Sequence, residues 1–285
     1  MARVAVLGMG LLGAAFTEAM LARRDNEIVV WNRTKAKTDP LVALGATAAD
    51  TPADAVRGAS RVHLILLDDD AVDTTISEMM HAIDKTSVIV DHTTTLPLRT
   101  AARAAALDAE GYAYLHAPVM MGPGAARAAK GMMLVAGPSE RLARVRDALT
   151  AMTGDLWYVG ERPDLAAAYK LFGNAANLSF LAVIADVLHL ADAAAVPREG
   201  AMQMLAKLTV SATGGVRGEM MMTENFAPQF TLDVARKDLR LMIETAGTEP
   251  TPMLRALAGR MDDLIADGYG AMDFSVIGRR ETSPQ

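Results

Sequence analysis

Three glycines in Gly8-Met9-Gly10-Leu11-Leu12-Gly13 have the spacing G-x-G-x-x-G. They follow an apolar run, Val4–Leu7, and open a helical one, Leu11–Arg23. In that strand–turn–helix setting Gly8 permits the tight turn. Gly10 lets the backbone approach a pyrophosphate, and Gly13 lets helix and strand pack closely. The phosphates of a dinucleotide would rest on the unpaired N–H groups at the helix N-terminus, with Met9, Leu11 and Leu12 contributing main chain. The plainer reading is a tight turn that binds nothing.

A second strand, Ile28–Trp31, runs into Asn32-Arg33-Thr34, and no acid follows until Asp39. An acid near the end of this strand normally binds the ribose 2′-hydroxyl of NAD and would repel a 2′-phosphate. An Arg there can grip that phosphate through charge-assisted hydrogen bonds. Asn32, Arg33 and Thr34 therefore point to NADPH rather than NADH, against the alternative of a solvated surface Arg.

Lys170 is the sole basic residue between Arg162 and Arg198, on a long Ala- and Leu-rich stretch. Asn174 lies one turn later and Asn177 nearly two, so the three share a helix face. Burial of a lysine lowers its pKa toward the range useful for proton transfer. Carbonyl reduction needs such a donor, because the developing alkoxide must be neutralised. A structural Lys that snorkels to water remains the rival reading. His92 and His116 fall at strand ends, where open α/β sheets place ligands, so each is either a competing proton donor or a hydrogen-bonded structural imidazole. The other three histidines, His63, His81 and His189, show no metal-helix spacing. Asp68-Asp69-Asp70, between a strand and a helix, reads as a helix cap matched to the dipole.

These residues need a scaffold, and the first 160 or so supply one. Strand candidates Val4–Leu7, Ile28–Trp31, Val62–Leu67, Ser87–Asp91, Ala113–His116, Met132–Ala136 and Leu156–Val159 alternate with helical runs such as Leu11–Arg23, Ala71–Ile83 and Leu98–Asp108. Alternation of this kind gives right-handed crossovers and a mainly parallel, doubly wound sheet. After the breakers Gly160-Glu161-Arg162-Pro163 the texture is helical: Leu165 to about Ala195, Arg198–Leu208, Thr231–Ala246 and Met253–Ala266. The expected architecture is a Rossmann-type dinucleotide-binding domain over residues 1–161, then an all-helical substrate and dimerisation domain over 162–285, joined through a long helix. The final Glu281–Gln285 reads as frayed.

Composition narrows the function. A net charge of −6 without a basic arm argues against nucleic acid. The absence of Cys excludes thiolate chemistry and disulfides. Asp186, His189 and Asp192 interrupt the longest apolar stretch, Leu178–Ala195, so it does not read as a membrane span. With no signal-peptide pattern at the start, a cytoplasmic protein is expected.

The glycine turn, Trp31-Asn32-Arg33-Thr34, Asp91-His92-Thr93-Thr94, Ala117-Pro118-Val119 and Lys170-Leu171-Phe172-Gly173-Asn174 occur in the order seen in β-hydroxyacid dehydrogenases. Lys237-Asp238-Leu239 and Asp273-Phe274-Ser275 resemble that family's C-terminal signatures, so the likeness spans nearly the whole chain. The resemblance implies Lys170 as general acid in reduction and base in oxidation, with Asn174 orienting substrate. It places Thr94 where cofactor meets substrate, Lys237 as a second cation near the nicotinamide, and Leu66-Leu67-Asp68 along the nicotinamide ribose. It also implies a cleft between the domains and a homodimer or homotetramer.

One stretch departs from the family. Where Pro-Val is usually followed by Ser-Gly-Gly, which holds the substrate carboxylate, this chain has Met120-Met121-Gly122. Thioethers are weak acceptors that suit apolar ligands, so a larger, less acidic carbonyl than glyoxylate is expected. Met220-Met221-Met222 would add to an apolar wall or simply fill the core. Imine reductases are similar in the Trp-Asn-Arg-Thr and Leu-Leu-Asp stretches but generally carry Asp or Tyr at the position of Lys170. The sequence thus predicts an NADPH-dependent reductase of carbonyl compounds, aldehyde or keto acid to hydroxy acid. Its rivals are imine reduction or reductive amination on the same scaffold, and a non-catalytic dinucleotide-binding module.

Overall fold

The structure, a computed structural model, describes residues 1–208 and 210–280; the expected fraying of Glu281–Gln285 lies outside them. In chain order the elements of the sheet region are β1 (Ala2–Leu7), α1 (Leu11–Arg23), β2 (Asn26–Trp31), α2 (Asp39–Ala43), β3 (Thr47–Ala48), α3 (Pro52–Val56), β4 (Arg61–Leu64), α4 (Asp69–Met79), β5 (Val88–Asp91), α5 (Pro97–Ala109), β6 (Ala113–His116), β7 (Val119–Met120), α6 (Pro123–Arg127), β8 (Met132–Ala136), α7 (Ser139–Thr150) and β9 (Asp155–Gly160). Helices follow: α8 (Leu165–Ala193), α9 (Arg198–Lys207), α10 (Val210–Thr223), α11 (Leu232–Ala246) and α12 (Pro252–Ala266), then a 3-10 turn, Phe274–Gly278.

The strands form one sheet in which β3, β2, β1, β4, β5 and β6 are parallel neighbours. β8 runs antiparallel to β6 and β7, and β9 pairs with β8 on its other side. The pairs His116↔Ala136 and Val119↔Met133 keep one register, so β6 and β7 are a single strand broken at Pro118. A proline has no N–H for the ladder, which is why pairing stops there and resumes.

The sheet is buried on both faces, as its near-continuous apolar strands require. Val4 and Val6 of β1 enter one core cluster while Ala5 and Leu7 enter the other. β2 and β5 divide their residues likewise: Ile28, Val30, Val88 and Val90 on one face, Val29 and Ile89 on the other. The period-two side-chain direction of a strand accounts for the alternation.

The chain divides into two compact units, Met1–Ala175 and Ala176–Gln285. That division falls inside α8, whereas the sequence reading put it at the breaker cluster before the helix. The start of α8 goes with the sheet because Ala166, fully buried, packs on Leu134 and Ala136 of β8. Among the described residues the core of the second unit is built on Leu232, Leu239, Met261, Leu264 and Val276 of α11, α12 and the Phe274–Gly278 turn, with Met220 of α10 buried beside Ser275.

Two elements end three or more residues short of expectation. The strand read as Val62–Leu67 stops at Leu64. Ile65 N still reaches the Leu7 carbonyl of β1 at 2.9 Å, but the next N–H, that of Leu66, is taken by the Thr93 hydroxyl at 3.0 Å and the ladder ends. The helix read as Ala71–Ile83 begins at Asp69 and ends at Met79, since the Asp68 carboxylate caps it by accepting from Ala71 N at 2.9 Å.

Candidate active site

The glycine turn is built as its spacing predicts. Gly8 sits at φ +105°, a conformation that side chains rarely adopt, and a Cβ there would overlap the Ile65 carbonyl. A Cβ on Gly13 would overlap the Gly8 carbonyl, so α1 can approach β1 only with glycine at that point. Gly10, the N-cap of α1, has open space around it and no side-chain cap, and the first turn of α1 holds no acid. Its unpaired N–H groups and dipole therefore suit an anion, which is the fit a dinucleotide pyrophosphate requires.

The turn is pinned from β2. Gly8 N donates to the Trp31 carbonyl at 2.9 Å, and Met9 N donates to Asn32 Oδ1 at 2.9 Å. Asn32 Nδ2 in turn donates to the Thr34 carbonyl at 2.9 Å. Both ends of the Asn32 amide are thus committed to the protein, so it positions the loop. The Met9 side chain is buried in the core and lies 3.7 Å from the Thr17 hydroxyl, leaving nothing of it for a ligand.

A cleft of about 630 Å³ opens over this turn. Of the residues read from sequence it is lined by Gly8, Gly10, Asn32, Arg33, Thr34, Leu66, Leu67 and Asp68. It also takes in Trp31, Lys37 and the α4 residues Ala71 and Thr74, none of which the sequence marks as a site residue. Lys37 sits one 3-10 turn beyond Thr34, and the pattern Arg33-x-x-x-Lys37 was the available signal. Among the described residues neither Arg33 nor Lys37 has a carboxylate partner, whereas neighbouring Lys35 is tied to Asp50 at 2.5 Å. The cations on the β2 wall are free to meet a phosphate. On the opposite wall Asp68 is spent as a cap and Asp70 is paired with Arg99 at 2.6 Å.

Beneath that wall Arg103, nearly fully buried, donates to Asp69 at 2.8 Å and Asp73 at 2.6 Å. Asp69 also accepts from Leu96 N at 2.9 Å. The acidic triplet is therefore the cap and anchor of α4. Thr94 stands exposed between two buried threonines, Thr93 bonded to Leu66 N and Thr95 bonded to Thr100 at 2.7 Å.

Lys170, half-buried on α8, donates to the Val119 carbonyl at 2.7 Å and lies 3.4 Å from Met120 Sδ. Burial pushes its pKa below the usual lysine value, and no carboxylate pairs with it among the described residues. The same strand end separates the two methionines: Met121 packs against the core cluster, while Met120 covers the lysine. A Cβ on Gly173 would come within 2.7 Å of Met120 Cε, so glycine there makes room for that side chain. Asn174 lies partly buried one turn beyond Lys170; Gly122 is exposed at the start of α6.

Leu11 is exposed, Leu12 half-buried on the core, and neither lines the cleft. Asn177 and Lys237 belong to the second unit, where Lys237 pairs with Asp238 at 2.6 Å. There Met220 is buried beside Ser275 and Met221 fills the space at Gly278, so these two are core filling, with Met222 exposed. His92 and His116 are buried and bonded inside the sheet with pKa values pushed down by burial, which leaves neither poised at a surface.

Known proteins bear on this geometry. Residues 3–160 match the NAD binding domain of 6-phosphogluconate dehydrogenase. An oxidoreductase of Bacillus subtilis is 28% identical over 96% of this chain and 98% of its own length. The 3-sulfolactaldehyde reductase of Escherichia coli is 26% identical over 97% of this chain and 95% of its own. Among solved structures an imine reductase of Streptomyces aurantiacus superposes with a TM-score of 0.87 at 26% identity, covering 96% of this chain and 98% of that one. The chain belongs to the 6-phosphogluconate dehydrogenase NAD-binding family, as an NAD(P)-binding oxidoreductase of the β-hydroxyacid dehydrogenase and imine reductase superfamily.

Proposed function

We propose that this protein is an NADPH-dependent reductase that converts a small or medium carbonyl compound, an aldehyde or keto acid, to the hydroxy product, with Lys170 as proton donor. The observation that carries the reading is the Lys170 ammonium: half-buried, lowered in pKa, and held by the Val119 carbonyl and a thioether rather than by a carboxylate. A lysine kept for structure would sit opposite an acid or reach solvent. One held by a neutral carbonyl keeps a proton it can give away.

The α1 N-terminus at Gly10 would hold the pyrophosphate, and Arg33, Thr34 and Lys37 the 2′-phosphate. When bound, the cofactor supplies hydride. Lys170 gives its proton to the carbonyl oxygen in reduction and takes one from the hydroxyl in oxidation, and its lowered pKa brings both steps nearer neutrality. The Val119 carbonyl fixes the direction of Nζ. Asn174, on the same helix face, would orient the substrate.

A second reading, imine reduction or reductive amination, draws on Met120. Its thioether occupies the place beside the proton donor where a hydroxyl would favour a carboxylate substrate. Consumption of NADPH by wild type and Lys170→Ala with succinic semialdehyde, an uncharged bulkier ketone and a cyclic imine decides between the two. Loss of a general acid costs about 10²–10⁴-fold in rate. That loss on a carbonyl substrate supports the first reading. An imine as best substrate, with Lys170→Ala nearly silent, supports the second.

A further inference from the structure

Three side chains cross the middle of the sheet in an unbroken line. Arg61 Nε donates to His63 Nε2 at 3.0 Å, His63 Nδ1 meets His92 Nε2 at 2.9 Å, and His92 Nδ1 meets the Ala117 carbonyl at 2.7 Å. The line passes from β4 over the end of β5 to the end of β6, three parallel neighbours. Its protons are fixed from both ends. A guanidinium only donates, so His63 Nε2 is a lone pair and His63 Nδ1 carries the proton; a carbonyl only accepts, so His92 Nδ1 carries the proton and His92 Nε2 is a lone pair. The two assignments agree, and both imidazoles are neutral.

The line ends beside the proton donor. Ala117 precedes Pro118, at which the strand breaks, and Val119, whose carbonyl holds Lys170, comes next. Pro118 is pinned as well, its carbonyl accepting from Leu134 N at 2.9 Å. A peptide at a strand break has lost its ladder bonds and takes its direction from whatever holds it. Here the holder on one side is His92.

We infer that the His63–His92 pair is a positioning device for Lys170, fixing the Ala117 carbonyl so that Val119 presents its own carbonyl to the lysine ammonium. The inference rests on Lys170 as proton donor. A proton added to the pair would set two donors face to face, and the surroundings resist it. Burial holds His92 down to about 4 against the opposing pull of the Ala117 carbonyl and Asp91, with His116 adding to the depression. Burial likewise holds His63 well below its ordinary value, reinforced by His92, Arg61 and Arg23. The line stays neutral and rigid wherever Lys170 works.

The pH profile of reduction tests this. Reduction needs protonated Lys170, so the rate falls on the alkaline side as that proton is lost. The Val119 carbonyl stabilises the ammonium and opposes the effect of burial. In His92→Phe, whose ring still packs on Phe16, the Ala117 carbonyl is released and Val119 is no longer held in place. The alkaline limb should then move to lower pH by about one unit. The kcat should fall about 10- to 100-fold, with the KM for NADPH unchanged. His92→Asn, whose amide can still donate to Ala117, should restore both limb and kcat. An unmoved limb in His92→Phe, or an Asn variant no better than Phe, overturns the inference. If His92→Phe does not fold, His63→Phe carries the test: a smaller shift in the same direction supports the inference and none overturns it. Lys170→Ala runs alongside. If that variant is silent, the proposed function has failed; if it is inactive while the limb stays put, only the positioning role has.

Discussion

The sheet unit buries both faces of its sheet in its own core, and the helical unit buries only part of its apolar helix surface. In residues 1–175 both faces of β1, β2 and β5 vanish into core clusters, and a nearly buried cation such as Arg103 meets two carboxylates. Among the described residues of 176–285 a comparable core forms where α11 and α12 meet the Phe274–Gly278 turn. There Asp273 is fully buried and accepts from the backbone N–H groups of Gln229, Phe230 and Ser275. α9 buries no residue at all, and α8 leaves Leu178 and Leu181 more than half exposed. By length and composition α8 could span a bilayer, yet Asp186 within it is buried and accepts from Leu254 N at 2.8 Å. That hydrogen bond ties α8 to the start of α12. The comparison separates a region whose stability is local from one whose exposed apolar face needs a cover.

The largest effect should come from the self-contained region. In Gly13→Val the new Cβ would overlap the Gly8 carbonyl, and backbone cannot yield as a flexible side chain does. Overpacking of this kind costs roughly 1–3 kcal/mol or more, and the turn would have to open to relieve it. The expected result is a lowered unfolding midpoint and no detectable NADPH binding by fluorescence titration. Retained binding would break the picture of a turn closed on itself.

The same contrast decides what could be read from the sequence. Strands buried on both faces are near-continuous apolar runs, so β1, β5, β6 and β8 were legible to within two residues. The glycine turn was legible because Gly8 and Gly13 are demanded by backbone overlap. The role of Asn32 was not, since an amide at the cofactor edge looks like a ligand donor until its two bonds to Met9 and Thr34 are seen. β7 escaped because two residues after a proline carry no periodicity. The histidine line escaped because His63 and His92 are far apart in sequence and meet only through strand order. The Gly160–Pro163 breaker marks the start of α8, but the packing of Ala166 on β8 decides which unit that start joins. Local chemistry is written in local sequence; contacts made by topology are not.

A smaller effect concerns the cleft mouth, where two free cations flank Thr34. Arg33→Ala and Lys37→Ala should each weaken NADPH binding about 10- to 100-fold, the worth of a charge-assisted hydrogen bond at roughly 1.5–3 kcal/mol. Binding of NADH, which lacks the 2′-phosphate, should change little. Since neither cation holds a carboxylate in the protein, the unfolding midpoint should stay put. Equal losses for both cofactors would mean that these residues shape the turn, and that even the mouth of the cleft belongs to the sheet unit's internal bonding.

The smallest effect on the isolated chain is the one that bears on the cover. We propose that a second copy of this chain lies against α8, giving a homodimer or a homotetramer. The argument is the exposed apolar residues Leu178, Phe180 and Leu181 on a helix whose two acids, Asp186 and Asp192, are already engaged by Leu254 N and Arg198. Isolated exposed leucines are ordinary, but a row of them on one helix is surface that association would remove from water. In Leu181→Lys the substituted position faces solvent in the single chain, so a monomer should lose no more than about 0.5 kcal/mol. Leu264→Ala, in the buried core of α12, should lose about 2–5 kcal/mol by comparison. Light scattering after size exclusion should show the wild type as a dimer or tetramer, the Leu264 variant still assembled, and the Leu181 variant dissociated. A monomeric wild type, or an assembly indifferent to a lysine at position 181, would show that the face is bare for some other reason.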